Sequence, residues 1–307
     1  MKKVPHIVNP LSVSVRSSGK NRLILDCRYL NDFITDKRCK YEDWRVALEY
    51  VEKGGFMFNW DLKSGYHHIE MHPVYVKYLG FKHELEGKEC YFVFLVLAFG
   101  IKSGPRIFTK VIRPLIKHWR SGGIQVVGYL DDGWVFHKSR EKCSFFSEKV
   151  RSDLIQAGFV INKSKSRWVP KPMVEWLGLI WDMSIGALIV PERRVYSILS
   201  DISHALKREK LTAIFLARIT GKIISMSPVL GNLTRIMTRY LYWAINCRSG
   251  WSTYISICDC LEVVEELQFW EKCRKHYNHY ACHLLLICIL LACLNLSIFY
   301  LQYTAER

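Results

Sequence analysis

The chain carries 11 cysteines but no CxxC pair, and its first residues form no signal-peptide pattern. A disulfide framework and a cysteine zinc site are therefore not expected, and the thiols read as reduced and intracellular. Cys258-Asp259-Cys260 is the only close pair and a slight metal signal. No internal repeat or low-complexity tract occurs, so a repeat architecture is not expected. Acidic residues are the scarce charge, with 28 Asp and Glu against 44 Lys and Arg and a formal net charge of +16. That excess points to polyanionic partners, with a solubilising basic surface as the plain alternative. After Trp270 the only acids are Glu271 and Glu306. What the chain does have is apolar mass: 50% of its 307 residues are hydrophobic, enough for one large domain or two smaller ones and against global disorder.

Among these few acids, two stand side by side in Tyr129-Leu130-Asp131-Asp132. They follow the apolar run Ile124 to Leu130 and precede Trp134-Val135-Phe136, a pattern of strand, tight turn and strand with the acids at the tip. Unpaired charge is costly on an apolar hairpin, so a carboxylate pair there is expected to hold a cation. Asp61 ends a similar run, Gly55-Phe56-Met57-Phe58-Asn59-Trp60, and would supply the third acid of a two-metal phosphoryl-transfer site. The plain alternative for any one acid is a turn residue, since Asp132-Gly133 is a good turn dipeptide.

Residues 1–54 are basic and mixed, 55–181 alternate short apolar strands with amphipathic helices, and 187–246 read as mainly helical. Arg22 to Asp26 reads as a strand entered from a Ser17-Ser18-Gly19-Lys20 turn, hence a hairpin, and Cys90 to Leu97 as another strand. Pro105 opens a helix with Ile107, Phe108, Val111, Ile112, Leu115, Ile116 and Trp119 on one face, and Pro114 is expected to kink or interrupt it. Glu141 to Ala157 reads as a second amphipathic helix, ended by Gly158.

These pieces resemble, in order, the motifs of a reverse transcriptase, over roughly residues 6–245. Arg22 to Asn31 resembles the fingers motif and Trp60-Asp61 to His67 the first palm motif. Ala98-Phe99-Gly100 to Phe108 resembles the template- and nucleotide-contacting motif, and Tyr129 to Asp132 the YxDD box. Gly158 to Ser166 resembles the lysine-bearing motif, and Trp176-Leu177-Gly178 the primer grip. A lone YxDD is weak, whereas six motifs in order are specific. Asn9 to Val13, Gly221 to Met226 and Met237-Thr238-Arg239 look most like retrotransposons of the DIRS type, which carry a tyrosine recombinase.

The resemblance implies an α+β right-hand polymerase: partial fingers over 1–54, a palm over 55–182 with interleaved fingers segments, a helical thumb over 183–250, and the start of a connection region over 251–280. It implies primer extension by deoxynucleotides on an RNA or DNA template, with two Mg²⁺ ions, or Mn²⁺ in their place. Asp61 and Asp131 would bridge the ions, with the Leu62 carbonyl as a backbone ligand and Asp132 as a weaker one. Tyr66 would lie under the incoming sugar and exclude a 2′-hydroxyl; an ordinary core tyrosine is the alternative. Arg22 and, less directly, Lys20 would handle phosphates, and Lys165 or its competitor Lys163 would protonate the departing pyrophosphate. Surface charge is the alternative for Arg22 and Lys165. Phe99 and Gly100 would face the nascent pair, and Pro105 belongs to the same template-contacting motif. Trp176, Leu177 and Gly178 would hold the primer, while Arg218, Lys222, Arg235 and Arg239 suit contact with a duplex backbone.

His67, His68 and His72 give an HHxxxH pattern, read as structural in a segment expected to be a strand. The sequence starts almost at the fingers hairpin, which suggests a truncated copy. The carboxylate cluster of an RNase H domain is not in this sequence, nor is an integrase or recombinase signature. The apolar run from Ala281 to Tyr303 is long enough to span a bilayer but is read as a chance extension of a decayed element. A retroelement remnant that keeps a palm-like nucleic-acid-binding fold without productive catalysis is the alternative to an active polymerase. A polymerase making RNA is disfavoured by Tyr66.

Overall fold

The structure, a computed structural model, describes residues 4–15, 21–35 and 37–272. Lys20 and the apolar run from residue 281 lie outside the described residues. The chain divides into two compact units, Met1–Val174 and Glu175–Arg307.

The first unit opens with the expected hairpin, β1 (Leu11–Val15) paired antiparallel to β2 (Asn21–Leu25). Two short helices follow, α1 (Arg28–Asp32) and α2 (Trp44–Leu48), the second capped by the Asp43 side chain. Next come β3 (Phe56–Asp61), a 3₁₀ turn (Gly65–His68) and α3 (Pro73–Val76). β4 (Gly80–Leu85) and β5 (Lys88–Val93) form a second hairpin. The strand expected over Cys90 to Leu97 thus ends at Val93; beyond it the chain is tied to the segment after the 3₁₀ turn by an isolated antiparallel bridge, Glu70 with Val96, and by the Leu97 N–H donating to the Ile69 carbonyl.

α4 (Gly104–Ser121) starts with Pro105 in its first turn and runs on through Pro114 without interruption. Pro114 is exposed, as is Lys110, whose carbonyl loses its helical partner, so water can serve that carbonyl. The buried stripe is narrower than the sequence suggested: Phe108, Ile112, Ile116 and Trp119 are buried, whereas Val111 is exposed. β6 (Gln125–Tyr129), β7 (Asp132–His137), α5 (Arg140–Gln156) and β8 (Arg167–Lys171) complete the unit. Ser139 caps α5 through the Lys142 N–H.

The central sheet is antiparallel, in the order β6-β7-β3-β8. Phe58, Trp60 and Val135 point from it into a core shared with Phe108, Ile112, Ile116 and Trp119 of α4 and Cys143, Val150 and Leu154 of α5. The adjacent β3 residues Met57 and Phe58 are both fully buried, so both faces of that strand are covered and it reads as a continuous apolar run.

At the start of the second unit β9 (Met173–Trp176), whose first two residues close the first unit, β10 (Leu179–Asp182) and β11 (Ala187–Ile189) form a three-stranded sheet, with β10 central. Helices α6 (Glu192–Leu206), α7 (Ala213–Ile224), α8 (Ser227–Leu230), α9 (Leu233–Ile236), α10 (Arg239–Asn246) and α11 (Leu261–Lys272) follow. A short ribbon, β12 (Lys210–Thr212) with β13 (Tyr254–Ser256), joins them. Ile202, Leu216, Ile219, Leu241, Leu267 and Trp270 lie in their common core. The buried Glu266 carboxylate accepts from the Tyr240 and Leu241 N–H groups at 3.0 and 2.9 Å, meeting unpaired donors at the start of α10. Among the described residues no helix is long and apolar enough to cross a membrane.

Candidate active site

The central sheet brings the acids together by register. Asp61, the last residue of β3, pairs with Asp132, the first of β7, and Tyr129 pairs with Asp132 across the hairpin. The two-residue loop is therefore Leu130-Asp131, with Leu130 at a positive φ of 53°, and Asp132-Gly133 lies in the strand instead of making the turn. Gly133 serves packing: a Cβ there would come within 2.0 Å of the Trp60 indole on the neighbouring strand. The Leu62 N–H donates to the Asp131 carbonyl at 2.9 Å, tying the end of β3 to the loop.

Asp61 is buried and gripped by the chain that follows α5. Asn162 Nδ2 donates to its Oδ1 at 2.6 Å and Lys165 Nζ to its Oδ2 at 2.7 Å. The Asp61 N–H donates to Ser166 Oγ at 3.1 Å, and the Asn162 N–H donates to the Asp61 carbonyl at 2.8 Å. Lys165, not Lys163, is the lysine placed on the acids; Lys163 is exposed.

Burial, then repulsion from Asp131 and Asp61, pushes the Asp132 carboxyl up to about 7. When protonated, Asp132 donates a hydrogen bond to Asp61, which adds to the rise. The Asp131 carboxyl is also raised, first by burial and then by Asp61, with Lys165 and Arg22 opposing. Among the described residues no three acidic, imidazole or thiol side chains form a ready-made cation cage. The donor set nevertheless fits Mg²⁺: hard oxygens held close enough to repel one another, for an ion that keeps waters and shares ligands with substrate phosphates.

Beside the acids stands an aromatic column. The half-buried Tyr66 ring stacks on Phe99 (centroids 4.8 Å, planes 19° apart) and tilts against Phe108 at 5.7 Å. The Arg22 guanidinium lies over the other ring of this pair, 4.3 Å from the Phe99 centroid. The Tyr66 hydroxyl is pushed up to about 12, by burial first and then by Asp131. Gly100 is exposed at a φ of 118°, and a Cβ there would strike the Leu25 carbonyl at 1.9 Å, so its missing side chain lets the segment lie against β2. Pro105 sits in the first turn of α4, next to Gly104, whose Cβ position is 3.3 Å from the Tyr66 ring. The histidine segment is a 3₁₀ turn, not a strand. His68 Nε2 accepts from the Val160 N–H at 3.0 Å while Nδ1 faces the Gly65 carbonyl at 3.0 Å, and His72 caps α3. Both His68 nitrogens are thus engaged, Nδ1 within its own turn and Nε2 on the segment before Asn162.

Comparison with known proteins decides the family. Residues 13–181, more than half of the chain, match the family model described as reverse transcriptase (RNA-dependent DNA polymerase). The chain belongs to the reverse transcriptase family. It is 28% identical over 182 residues to the retrovirus-related Pol polyprotein of the gypsy transposon of Drosophila melanogaster, covering 57% of this chain and 16% of that one. It is 25% identical over 173 residues to a polyprotein of Cassava vein mosaic virus, covering 56% and 25%. The chain therefore spans a quarter or less of the length of these curated relatives. Among solved structures it is similar to a foamy viral protease-reverse transcriptase in complex with double-stranded DNA, with a TM-score of 0.69 and 18% identity, covering 89% of this chain and 45% of that one. The same foamy viral protein in complex with an RNA/DNA hybrid gives a TM-score of 0.68. At this identity the likeness concerns the fold, which is the right-hand polymerase fold of mixed helix and sheet expected from the sequence. It is a reverse transcriptase domain similar to those of retroelement and viral Pol polyproteins.

In the second unit of this reverse transcriptase, Trp176, Leu177 and Gly178 form the β9–β10 turn. Leu177 and Gly178 both take positive φ, 49° and 72°, which makes a tight hairpin of the primed kind. Trp176 is buried, and the Gly178 carbonyl accepts from Arg194. Lys222 is engaged within the unit, donating to Ser197 Oγ and Asp201 Oδ2, both at 2.7 Å, and Arg218 also pairs with Asp201. Arg235 and Arg239 are exposed, the latter 4.8 Å from the Tyr240 ring centroid. Cys260 donates to the Glu262 carboxylate, and the described cysteines are free thiols.

Sequence reasoning missed three supports of this reverse transcriptase site. Asn162 and Ser166 were visible only as part of a motif. The third is Glu42, whose carboxylate takes both Arg120 guanidinium nitrogens at 2.8 and 2.7 Å and accepts from the Gly128 N–H at 3.2 Å. Arg120 in turn donates to the Val126 carbonyl. Together they occupy the outer edge of β6, the strand that leads into the acid loop.

Proposed function

We propose that this chain is the polymerase part of a reverse transcriptase that extends a DNA primer 3′-hydroxyl with deoxynucleotides on an RNA or DNA template. The observation that carries the reading is the register that sets Asp61 against Asp132, with Asp131 in the loop beside them. Reverse transcriptases generally use divalent metal ions. Here Asp61, Asp131, Asp132 and the Leu62 carbonyl would hold two Mg²⁺, with Mn²⁺ as a substitute. Bound ions lower the pKa of the attacking hydroxyl and neutralise charge on the leaving pyrophosphate.

The chain's own groups do the rest. Arg22, set over Phe99, presents a guanidinium for triphosphate oxygens, with Lys20 assigned to the same task. Tyr66, backed by Phe99 and Phe108, is the ring that would exclude a ribose 2′-hydroxyl. Lys165 carries the proton for the departing pyrophosphate. Phe99, Gly100 and Pro105 face the nascent pair and template. Trp176, Leu177 and Gly178 hold the primer, and Lys222 and Arg239 follow the duplex backbone. Residues 1–54 serve as fingers, 55–182 as palm, 183–250 as thumb and 251–280 as the start of a connection. The source is a retrotransposon, of the DIRS type by the wording of residues 9–13, 221–226 and 237–239.

Primer extension on an RNA template by the full chain, beside Asp131→Asn, tests this. Extension by the parent and a loss of at least ~10²-fold in the variant is expected, since a ligand carboxylate is removed. No extension by a folded parent would favour the remnant reading.

A further inference from the structure

The grip on Asp61 is asymmetric, and the asymmetry has chemical content. One carboxylate oxygen, Oδ1, is held by a neutral amide, Asn162 Nδ2 at 2.6 Å. The other, Oδ2, is held by a cation, Lys165 Nζ at 2.7 Å. Asn162 is itself fixed: Ser164 Oγ donates to its Oδ1 at 2.8 Å, and its backbone carbonyl accepts from the Lys165 and Ser166 N–H groups at 3.2 and 3.0 Å. Its own N–H donates to the Asp61 carbonyl, and Ser166 Oγ accepts from the Asp61 N–H. Asn162 therefore cannot follow Asp61 if that side chain rotates. Lys165 differs: its side chain is 55% exposed, on a long flexible stem, and can leave Oδ2 for solvent.

We propose that Asn162 is a positioning residue that pins Asp61 by Oδ1, and that Lys165 is a resident counter-cation exchanged from Oδ2 when a divalent ion binds. The inference rests on the two-metal reading above and deepens it. An amide can donate to a carboxylate oxygen without bringing a positive charge, so it orients the ligand and leaves the carboxylate's negative charge to be met by a cation at the other oxygen. An ammonium on the same carboxylate is a competitor of the metal. Its release at metal binding would also deliver a protonated amine, freed from Asp61, at the moment the site becomes competent for pyrophosphate departure. The two neighbours of one carboxylate thus have opposite effects on metal affinity. A merely structural role for the turn does not produce that split.

The test is Mn²⁺ binding to the full chain without nucleic acid or nucleotide, read by electron paramagnetic resonance of the free ion. Folding is checked by circular dichroism and thermal midpoint. Asn162→Ala is expected to weaken Mn²⁺ binding by roughly tenfold, the usual scale for loss of a group that orients a metal ligand. Ser164→Ala, an exposed substitution that removes only the hydroxyl behind Asn162, should shift affinity the same way by a smaller factor. Lys165→Met should tighten binding severalfold. In Asn162→Ala plus Lys165→Met the two shifts should partly cancel. Affinity unchanged in a folded Asn162→Ala protein, or weakened by Lys165→Met, overturns the proposal. If the parent binds Mn²⁺ and Asp61→Asn binds as well as the parent, the metal reading itself fails. Loss in Asp61→Asn with no response to Asn162→Ala and Ser164→Ala refutes only the positioning role.

Discussion

Gly133→Ala should destabilise the first unit by about 2 kcal/mol, because one methyl group has nowhere to go. An ideal Cβ at Gly133 lies 2.0, 2.2 and 2.5 Å from three Trp60 ring carbons, against ordinary contact beginning near 3.4 Å. The ring cannot retreat. It meets Trp119 edge-on at 5.5 Å, lies parallel to Trp168 at 6.4 Å, and is 2% exposed. The backbone cannot retreat either, since Trp60 and Gly133 are paired across β3 and β7. Overpacking of this kind costs roughly 1–3 kcal/mol, and the usual gain of about 0.5–1 kcal/mol from replacing a strand glycine offsets only part of a cost at the upper end. Urea unfolding followed by circular dichroism measures the loss. Trp60→Leu removes the obstructing ring at its own cost of a few kcal/mol, so the informative quantity is the coupling in the double-mutant cycle. That coupling should be favourable by about 1–3 kcal/mol. Gly122→Ala is the control: its Cβ would meet only ordinary contacts, at 3.4 Å or more, and should change stability by less than about 0.5 kcal/mol. Gly133→Ala as stable as the parent, or a coupling near zero, would refute the packing account of this glycine.

Two further outcomes follow from the site. The Asp132 carboxyl, raised from 3.8 to about 7, holds its proton more tightly in the folded chain, so without metal its stabilising contribution is present at low pH and is lost as pH rises through about 7. Mg²⁺ needs the carboxylate form, so the Mg²⁺-induced rise in thermal midpoint should be small near pH 5, grow towards pH 7 and then level off. Thermal melts across pH with and without Mg²⁺ check this, and a pH-independent increment would contradict it. Tyr66→Val should raise ribonucleotide relative to deoxyribonucleotide incorporation by roughly tenfold or more, whereas Tyr66→Phe, which keeps the ring stacked on Phe99, should leave the ratio near the parent's. Single-nucleotide extension kinetics measure both, and an unchanged ratio in Tyr66→Val would remove the ring from nucleotide choice.

The legible parts of this chain were those whose physics is local. An apolar run ending in acids, then another apolar run, reads as a hairpin with charge at its tip, which marks Asp131 and Asp132, and Asp61 stands out as the acid that ends a similar apolar run. A proline in a first turn likewise announces itself within a few residues. Misreadings arose where a local rule met a distant neighbour. Asp132-Gly133, the alternative turn dipeptide, lies in β7 instead: the turn is Leu130-Asp131, two residues earlier, and Gly133 turns its bare face to Trp60, more than seventy positions away. Pro114 is expected to kink or interrupt its helix, and α4 is not interrupted there, since the exposed position lets water take the freed carbonyl, which periodicity does not reveal. The grip on Asp61 was the least legible feature of all. Asn162 and Ser166 are separated from Asp61 by 101 and 105 positions, and the sheet register, the Lys63 N–H bond to the Val160 carbonyl and the pinning of Val160 by His68 bring them there. Glu42 and Arg120, 78 positions apart, hold the edge of β6 by the same kind of long-range pairing. A catalytic acid is visible because its charge is out of place in its own segment, whereas the groups that aim it sit in segments where an asparagine or a serine is ordinary. The orienting residues of such a site are therefore a product of the fold, and they are where substitution should separate metal affinity from stability.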